Sequence, residues 1–166
     1  KLEKKDQDGW TYRAMVSRLD TNIGKILAAL EESGEADDTI VFFMSDNGGV
    51  PGMEPYSQCL PLRGHKFDEW EGSVRVPAAI RWPNGFMKDG KVLNQVVSFV
   101  DILPTVADII GAGEPAKPYD GLSMYQVFSG KKKRIDRVIY LGLGAVVSQK
   151  FKLIVPLEGK GLKLEE

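Results

Sequence analysis

A chain of 166 residues with 22 basic and 23 acidic side chains, for a net charge of -1, carries no electrostatic footprint for nucleic acid or an anionic membrane surface. Its 43% hydrophobic content can build a core of ordinary domain size, and its one cysteine cannot form an internal disulfide. No apolar run reaches the roughly eighteen residues that a membrane-spanning helix needs.

The opening KLEKKDQDG has neither an initiator methionine nor an apolar leader, and the closing GKGLKLEE carries no terminating signal, so a part of a longer chain is expected. From Tyr12 to Ser33, Met15, Leu19, Ile23, Leu27 and Leu30 recur at spacings of four and three, which predicts a helix with one apolar stripe, stopped by Gly34. TIVFFM, residues 39–44, is a short apolar run rich in β-formers and bounded by polar residues. It predicts a strand buried on both faces, and a helix leading into such a strand points to an α/β layer architecture.

An irregular Gly- and Pro-rich stretch follows as far as Glu71, of the kind that is usually functional or disordered. A second strand is predicted from Ala78, because Pro77 is best tolerated at a strand start. NQVVSFVDILPTVADIIGAG combines a short extended piece with a helix over 101–110, with Pro104 in its first turn and Gly111 at its end. After the turn EPAKPYDG, the runs RVIYLG, AVVSQ and FKLIVP predict a small antiparallel meander. The basic run 130–134 reads as a solvated turn.

Asp46 and Asn47 stand at the carboxyl end of the first predicted strand, where open α/β sheets place ligands. A carboxylate beside an amide carbonyl suits a hard cation, and Gly48 and Gly49 let the backbone turn sharply. The same letters also describe an Asx turn that merely ends a strand. Two donors fall short of the six to eight oxygens that Ca²⁺ takes, so any site here is incomplete. Arg63, His65 and Lys66 could together hold a tetrahedral anion, or the arginines 63 and 75 could pair with Asp68, Glu69 or Glu71 within the loop. Trp70 and Trp82 read as packing residues. With one histidine, a Ser-His-Asp triad could only be built on His65, and no nucleophile elbow, zincin motif or P-loop is present.

Taken in order, YRAMVSRLDTNIGKILAALEESGEADDTIVFFMSDNGG, PLRGHKFDEWEGSVRVPAAIRWP, VSFVDILPTVADIIGAG, DGLSMYQVFSG and VVSQKFKLI resemble the C-terminal half of the sulfatase family, most closely its arylsulfatase B-like members. The resemblance implies an alkaline-phosphatase-like α/β fold, a mixed sheet with packed helices plus a small C-terminal antiparallel sheet. Residues 1–113 would belong to the catalytic domain and 114–166 to a small β subdomain. It also implies that Asp46 and Asn47 are metal ligands for Ca²⁺, with Mg²⁺ as the alternative. Lys66 would be a catalytic and sulfate-binding lysine; His65, beside it, is a substrate-binding candidate by residue type alone, since a lone histidine is more often a hydrogen-bonded structural residue.

SQCLPLRGHK, residues 57–66, spells Cys-x-Pro-x-Arg, the pattern in which sulfatases make their formylglycine nucleophile. The family signature has a small residue after the proline and a Thr-Gly pair farther on, where this chain has Leu62, Asp68 and Glu69. The stretch matches instead the later element Pro-Leu-Arg-Gly-x-Lys, and formylglycine is expected upstream. The implied parent is a sulfatase acting on an aryl or carbohydrate sulfate ester and exported from the cytosol. This chain alone is expected to be inactive and to self-associate. A phosphate or phosphonate ester hydrolase of the same superfamily, and a non-catalytic binding module, are the alternative readings.

Overall fold

A computed structural model describes residues 4–86, 90–113, 115–142, 144–155 and 163–165. By internal contacts the chain divides into two compact units, Lys1–Asn84 and Gly85–Glu166. That division is one of contacts. The segmentation into 1–113 and 114–166 concerns the parent domain and stays a proposal.

The first unit holds helix α1 (Lys4–Glu32), strand β1 (Val41–Met44), the single turn of helix α2 (Glu71–Val74) and strand β2 (Ala78–Arg81). Helix α1 begins eight residues before the expected start because the opening Lys, Asp and Gln residues are tolerated in a helix although they contribute no apolar periodicity. Gly9 lies within this extension and is buried; a β-carbon there would stand 2.1 Å from the Tyr56 ring. The helix therefore meets the loop at a position without a side chain. At its other end, Arg81 at the end of β2 donates to the Ala36 carbonyl at 2.9 Å and to Glu31 at 3.2 Å.

Strand β1 pairs antiparallel with β2, Val41 opposite Arg81 and Met44 opposite Ala78. The expectation that β1 is buried on both faces does not hold in this chain: none of its residues is buried and Phe43 is 48% exposed. The physical reason is that, among the described residues, β2 is its only strand neighbour, so no second layer covers its pleat. The apolar stripe of α1 is open at Met15 and Leu19, both more than half exposed, and half-buried at Ile23, Leu27 and Leu30.

In the second unit a 3₁₀ turn over Phe99–Asp101 runs into helix α3 (Ile102–Ile110), followed by helix α4 (Tyr125–Phe128) and strands β3 (Val138–Gly142), β4 (Ala145–Ser148), β5 (Lys152–Ile154) and β6 (Lys163–Glu165). Helix α3 starts one residue after the expected Asp101, which ends the 3₁₀ turn, and stops at the expected Ile110, where Gly111 closes it in the left-handed conformation at φ 64°. The short extended piece at 94–97 forms no strand. The meander is present, antiparallel throughout in the order β3-β4-β5-β6, and gains a fourth strand.

Asp101 organises this unit. It is 1% exposed, and its carboxylate accepts from the backbone N–H groups of Ser98 at 2.8 Å and Leu122 at 2.9 Å and from the Arg137 guanidinium. Below it, the buried Thr105 hydroxyl donates to the Asp101 carbonyl at 2.6 Å and accepts from Met124 N at 2.9 Å. A buried carboxylate with this many donors is satisfied rather than reactive. Among the described residues, Met124, Val127 and Phe128 of the α4 segment, Ile139, Ala145 and Ile154 of the meander, and Pro104 of α3 form the buried apolar part of this unit. The class is mixed α/β, with both sheets of the described residues pairing antiparallel.

Candidate functional site

The tip of β1 and the loop 57–73 are joined by backbone, at positions where side chains would not fit. Ser45 N donates to the Pro77 carbonyl at 3.2 Å, and Gly48 N to the Ser73 carbonyl at 2.7 Å. Lys66 N donates to the Gly49 carbonyl at 2.8 Å, and Gly72 N to the Arg63 carbonyl at 2.6 Å. A β-carbon on Gly48 would stand 1.7 Å from the Gly72 carbonyl oxygen, and one on Gly72 would stand 2.2 Å from that of Gly64. These approaches bring Asp46, Asn47 and Lys66, which lie twenty residues apart in sequence, into one neighbourhood.

At the tip, Asp46 Oδ1 accepts from Asn47 N at 2.9 Å, and Asn47 Nδ2 donates to the Gly48 carbonyl at 3.0 Å. The Asp46 contact runs to the next residue rather than two residues on, so it is not the Asx turn expected as the alternative, and the two bonds consume only one carboxylate oxygen and the amide nitrogen. Asp46 Oδ2 and Asn47 Oδ1 keep their lone pairs for another partner. Two such oxygens fit a hard cation in kind, though not in number. Among the described residues, no group of three or more His, Cys, Asp or Glu side chains is placed to complete such a site.

The loop side is built on a turn. Asp68 N donates to the His65 carbonyl at 3.1 Å, and Asp68 Oδ2 accepts from His65 N at 2.9 Å. The His65 ring folds back, with Nδ1 3.0 Å from the Lys66 carbonyl and 3.2 Å from Asp68 Oδ2. Within this turn Phe67 has a φ of 82°, a conformation that costs a bulky side chain on the order of 1–3 kcal/mol. The Lys66 ammonium lies 5.4 Å from the Phe67 ring centre. Arg63 stacks its guanidinium 3.5 Å from the centre of the Trp70 ring, so Trp70 carries an arginine as well as packing.

Sequence reasoning missed two supporting residues. Cys59 Sγ accepts from Gly49 N at 3.0 Å, and Ser57 Oγ accepts from Val50 N at 3.0 Å, so two loop side chains hold the backbone that leaves the tip. No local signal marks either one, because their partners are fixed only by the tertiary fold. Cys59 is thereby engaged as a support for the tip.

A model of the sulfatase family matches residues 3–112, about two-thirds of the chain. The chain belongs to the sulfatase family. This sulfatase chain is 36% identical over 132 residues to the steryl-sulfatase of Mus musculus, covering 75% of its own length and 21% of the relative's. It is 37% identical over 127 residues to a sulfatase of Formosa agariphila, covering 70% and 22%. It thus spans less than a quarter of either relative.

Two solved structures share its fold. Ps i-CgsB, in complex with k-i-k-neocarrahexaose, superposes with a TM-score of 0.79 at 28% identity, over 99% of this chain and 37% of that one. BT4656, in complex with its substrate D-glucosamine-2-N,6-O-disulfate, gives 0.70 at 25% identity, over 95% and 35%. These neighbours carry the alkaline-phosphatase-like architecture expected from the sequence. Among the described residues, no helix is long and apolar enough to cross a membrane.

Proposed function

We propose that this chain forms one wall of the active site of a sulfuric ester hydrolase. Asp46 and Asn47 supply two oxygen ligands to a divalent cation, and Lys66 supplies its ammonium to the sulfate group. The observation that supports this reading is the hydrogen bond from Lys66 N to the Gly49 carbonyl, 2.8 Å long, in a chain of the sulfatase family. It ties the loop of the lysine to the strand tip that bears the two oxygen donors.

When bound, Ca²⁺ or Mg²⁺ would supply Lewis-acid stabilisation of charge on the sulfate oxygens. The chain's own residues orient that event. The bonds of Asp46 Oδ1 to Asn47 N and of Asn47 Nδ2 to the Gly48 carbonyl leave Asp46 Oδ2 and Asn47 Oδ1 for the cation, Gly48 and Gly49 let the tip approach the loop, and Ser57 and Cys59 fix the backbone behind it. Lys66 offsets charge that grows on sulfate oxygens as the ester bond breaks, and its flexible stem allows it to follow the moving group. The formylglycine nucleophile belongs to a segment that precedes these residues. The substrate class is an aryl or carbohydrate sulfate, in line with the sulfated sugar bound by BT4656. An exported setting, periplasmic, secreted or lysosomal, belongs to the same reading.

The test is hydrolysis by the full-length enzyme that carries this chain. It should cleave 4-nitrophenyl sulfate in preference to the phosphate and phosphonate esters, lose activity on chelation and regain it with Ca²⁺. The 166-residue chain alone should cleave none of them. Preference for the phosphate ester, or robust turnover by the short chain, would refute the proposal.

A further inference from the structure

Resting on that reading, the His65–Asp68 turn carries a second recognition element. Among the described residues, the partners of His65 Nδ1 are acceptors: the Lys66 carbonyl at 3.0 Å and the Asp68 carboxylate at 3.2 Å. A ring nitrogen facing two acceptors must carry the proton, and in a neutral imidazole the other nitrogen then keeps its lone pair. Free histidine in water prefers the opposite tautomer, so the turn imposes this state. Nε2 has no protein partner among the described residues, and the side chain is 45% exposed.

The turn is shaped for this purpose at a cost. Asp68 Oδ2 holds both the backbone N–H and the ring of His65, which closes the turn around Phe67 at φ 82°. Gly64, at φ 83°, leaves room for it; a β-carbon there would stand 2.9 Å from Asp68 Oδ2 and 2.7 Å from Trp70 Cβ. Phe67 is 72% exposed, so its packing within the described residues does not repay the strained backbone. Strain kept beside Lys66 without a packing return is what a preorganised recognition turn displays.

We propose that Asp68 is a positioning residue that holds His65 as its Nδ1–H tautomer, so that Nε2 accepts a hydrogen bond from a hydroxyl on the carrier of the sulfate ester. Sulfate oxygens can only accept, so an acceptor nitrogen on the residue that precedes Lys66 recognises the carrier. It selects a polyhydroxylated one, a sugar sulfate, over an aryl sulfate without hydroxyl groups. Lys66 reads the anion and His65 reads the group that bears it.

His65 is the only histidine, so its ring nitrogens give one unambiguous pair of ¹⁵N signals in this chain. Measured about two pH units above the ordinary histidine value of about 6.5, they should show a protonated Nδ1 and a pyridine-like Nε2. Asp68→Ala should move the ring to a mixture rich in the Nε2–H form. A dominant Nε2–H form in the unaltered chain, or no change in Asp68→Ala, overturns the assignment of Asp68. In the full-length enzyme, His65→Ala should lower the ratio of kcat/KM for the best monosaccharide sulfate to that for 4-nitrophenyl sulfate, on the order of tenfold. Asp68→Ala should lower it in the same direction. An unchanged ratio, or turnover of 4-nitrophenyl sulfate with no sugar sulfate cleaved, overturns the hydroxyl reading. Failure of the unaltered enzyme on every sulfate refutes the sulfatase proposal instead, and the tautomer measurement still decides the role of Asp68.

Discussion

Replacing Gly48 by alanine adds one methyl group at the point where strand tip and loop meet. Its β-carbon would lie 1.7 Å from the Gly72 carbonyl oxygen, 2.8 Å from the carbonyl carbon and 3.0 Å from Ser73 Cα, all backbone atoms that cannot rotate away. To reach ordinary contact the loop must withdraw by more than about 1.5 Å. That movement sacrifices the 2.7 Å bond from Gly48 N to Ser73 O and strains the 2.6 Å bond from Gly72 N to Arg63 O. Overpacking of this kind costs about 1–3 kcal/mol, and a lost backbone hydrogen bond about 1 kcal/mol more. A loss of about 2–4 kcal/mol is expected, a large share of a marginal stability. Gly24, in the interior of α1 with open space around it, is the control: the same substitution there should stabilise by about 0.5–1 kcal/mol. Urea midpoints followed by tryptophan fluorescence measure both. A Gly48→Ala midpoint equal to or above that of the unaltered chain would show that the close approach is not what joins tip to loop.

Asp101→Ala removes the acceptor of three donors and leaves Arg137, whose side chain is 7% exposed, buried without its counter-ion. It should cost about 3–5 kcal/mol in chemical denaturation, and a loss below about 1 kcal/mol would contradict the role given to Asp101. Lys66→Ala in the full-length enzyme should reduce kcat on the order of a hundredfold or more with the fold unchanged by circular dichroism; unaltered turnover would remove the lysine from the site. The short chain should self-associate, because Trp10, Met15, Leu19, Ile26 and Phe43 leave apolar surface uncovered. A monomer by light scattering at high concentration would count against that.

Local chemistry was legible in the sequence, and long-range closure was not. Helix α3 could be bounded because Pro104 and Gly111 act within one turn of themselves. The meander could be read from short β-rich runs, but its fourth strand lies in a charged tail where apolar and charged residues alternate over too few positions to mark a strand. Strand β1 was placed correctly, whereas its burial depends on neighbours that apolar composition does not name. Asp46, Asn47 and Lys66 could be singled out by residue type and resemblance. That they are neighbours follows from Gly48, Gly72 and Gly64, whose carbonyl contacts are tertiary and leave no pattern in the letters. For the same reason Asp68 read as an arginine partner in the sequence, and the structure places it on His65.

The proximity of the Asp46–Asn47 oxygens to Lys66 can be measured in this chain with Mn²⁺ as a paramagnetic stand-in for the cation. Binding should be weak, since two donors fall short of a full coordination shell. At saturating Mn²⁺ the amides of Asp46–Gly49 should broaden together with those of His65 and Lys66, and Asp46→Ala should abolish both effects. Broadening at the tip that leaves His65 and Lys66 sharp, or broadening that survives Asp46→Ala, would contradict a single site shared by the cation and the lysine.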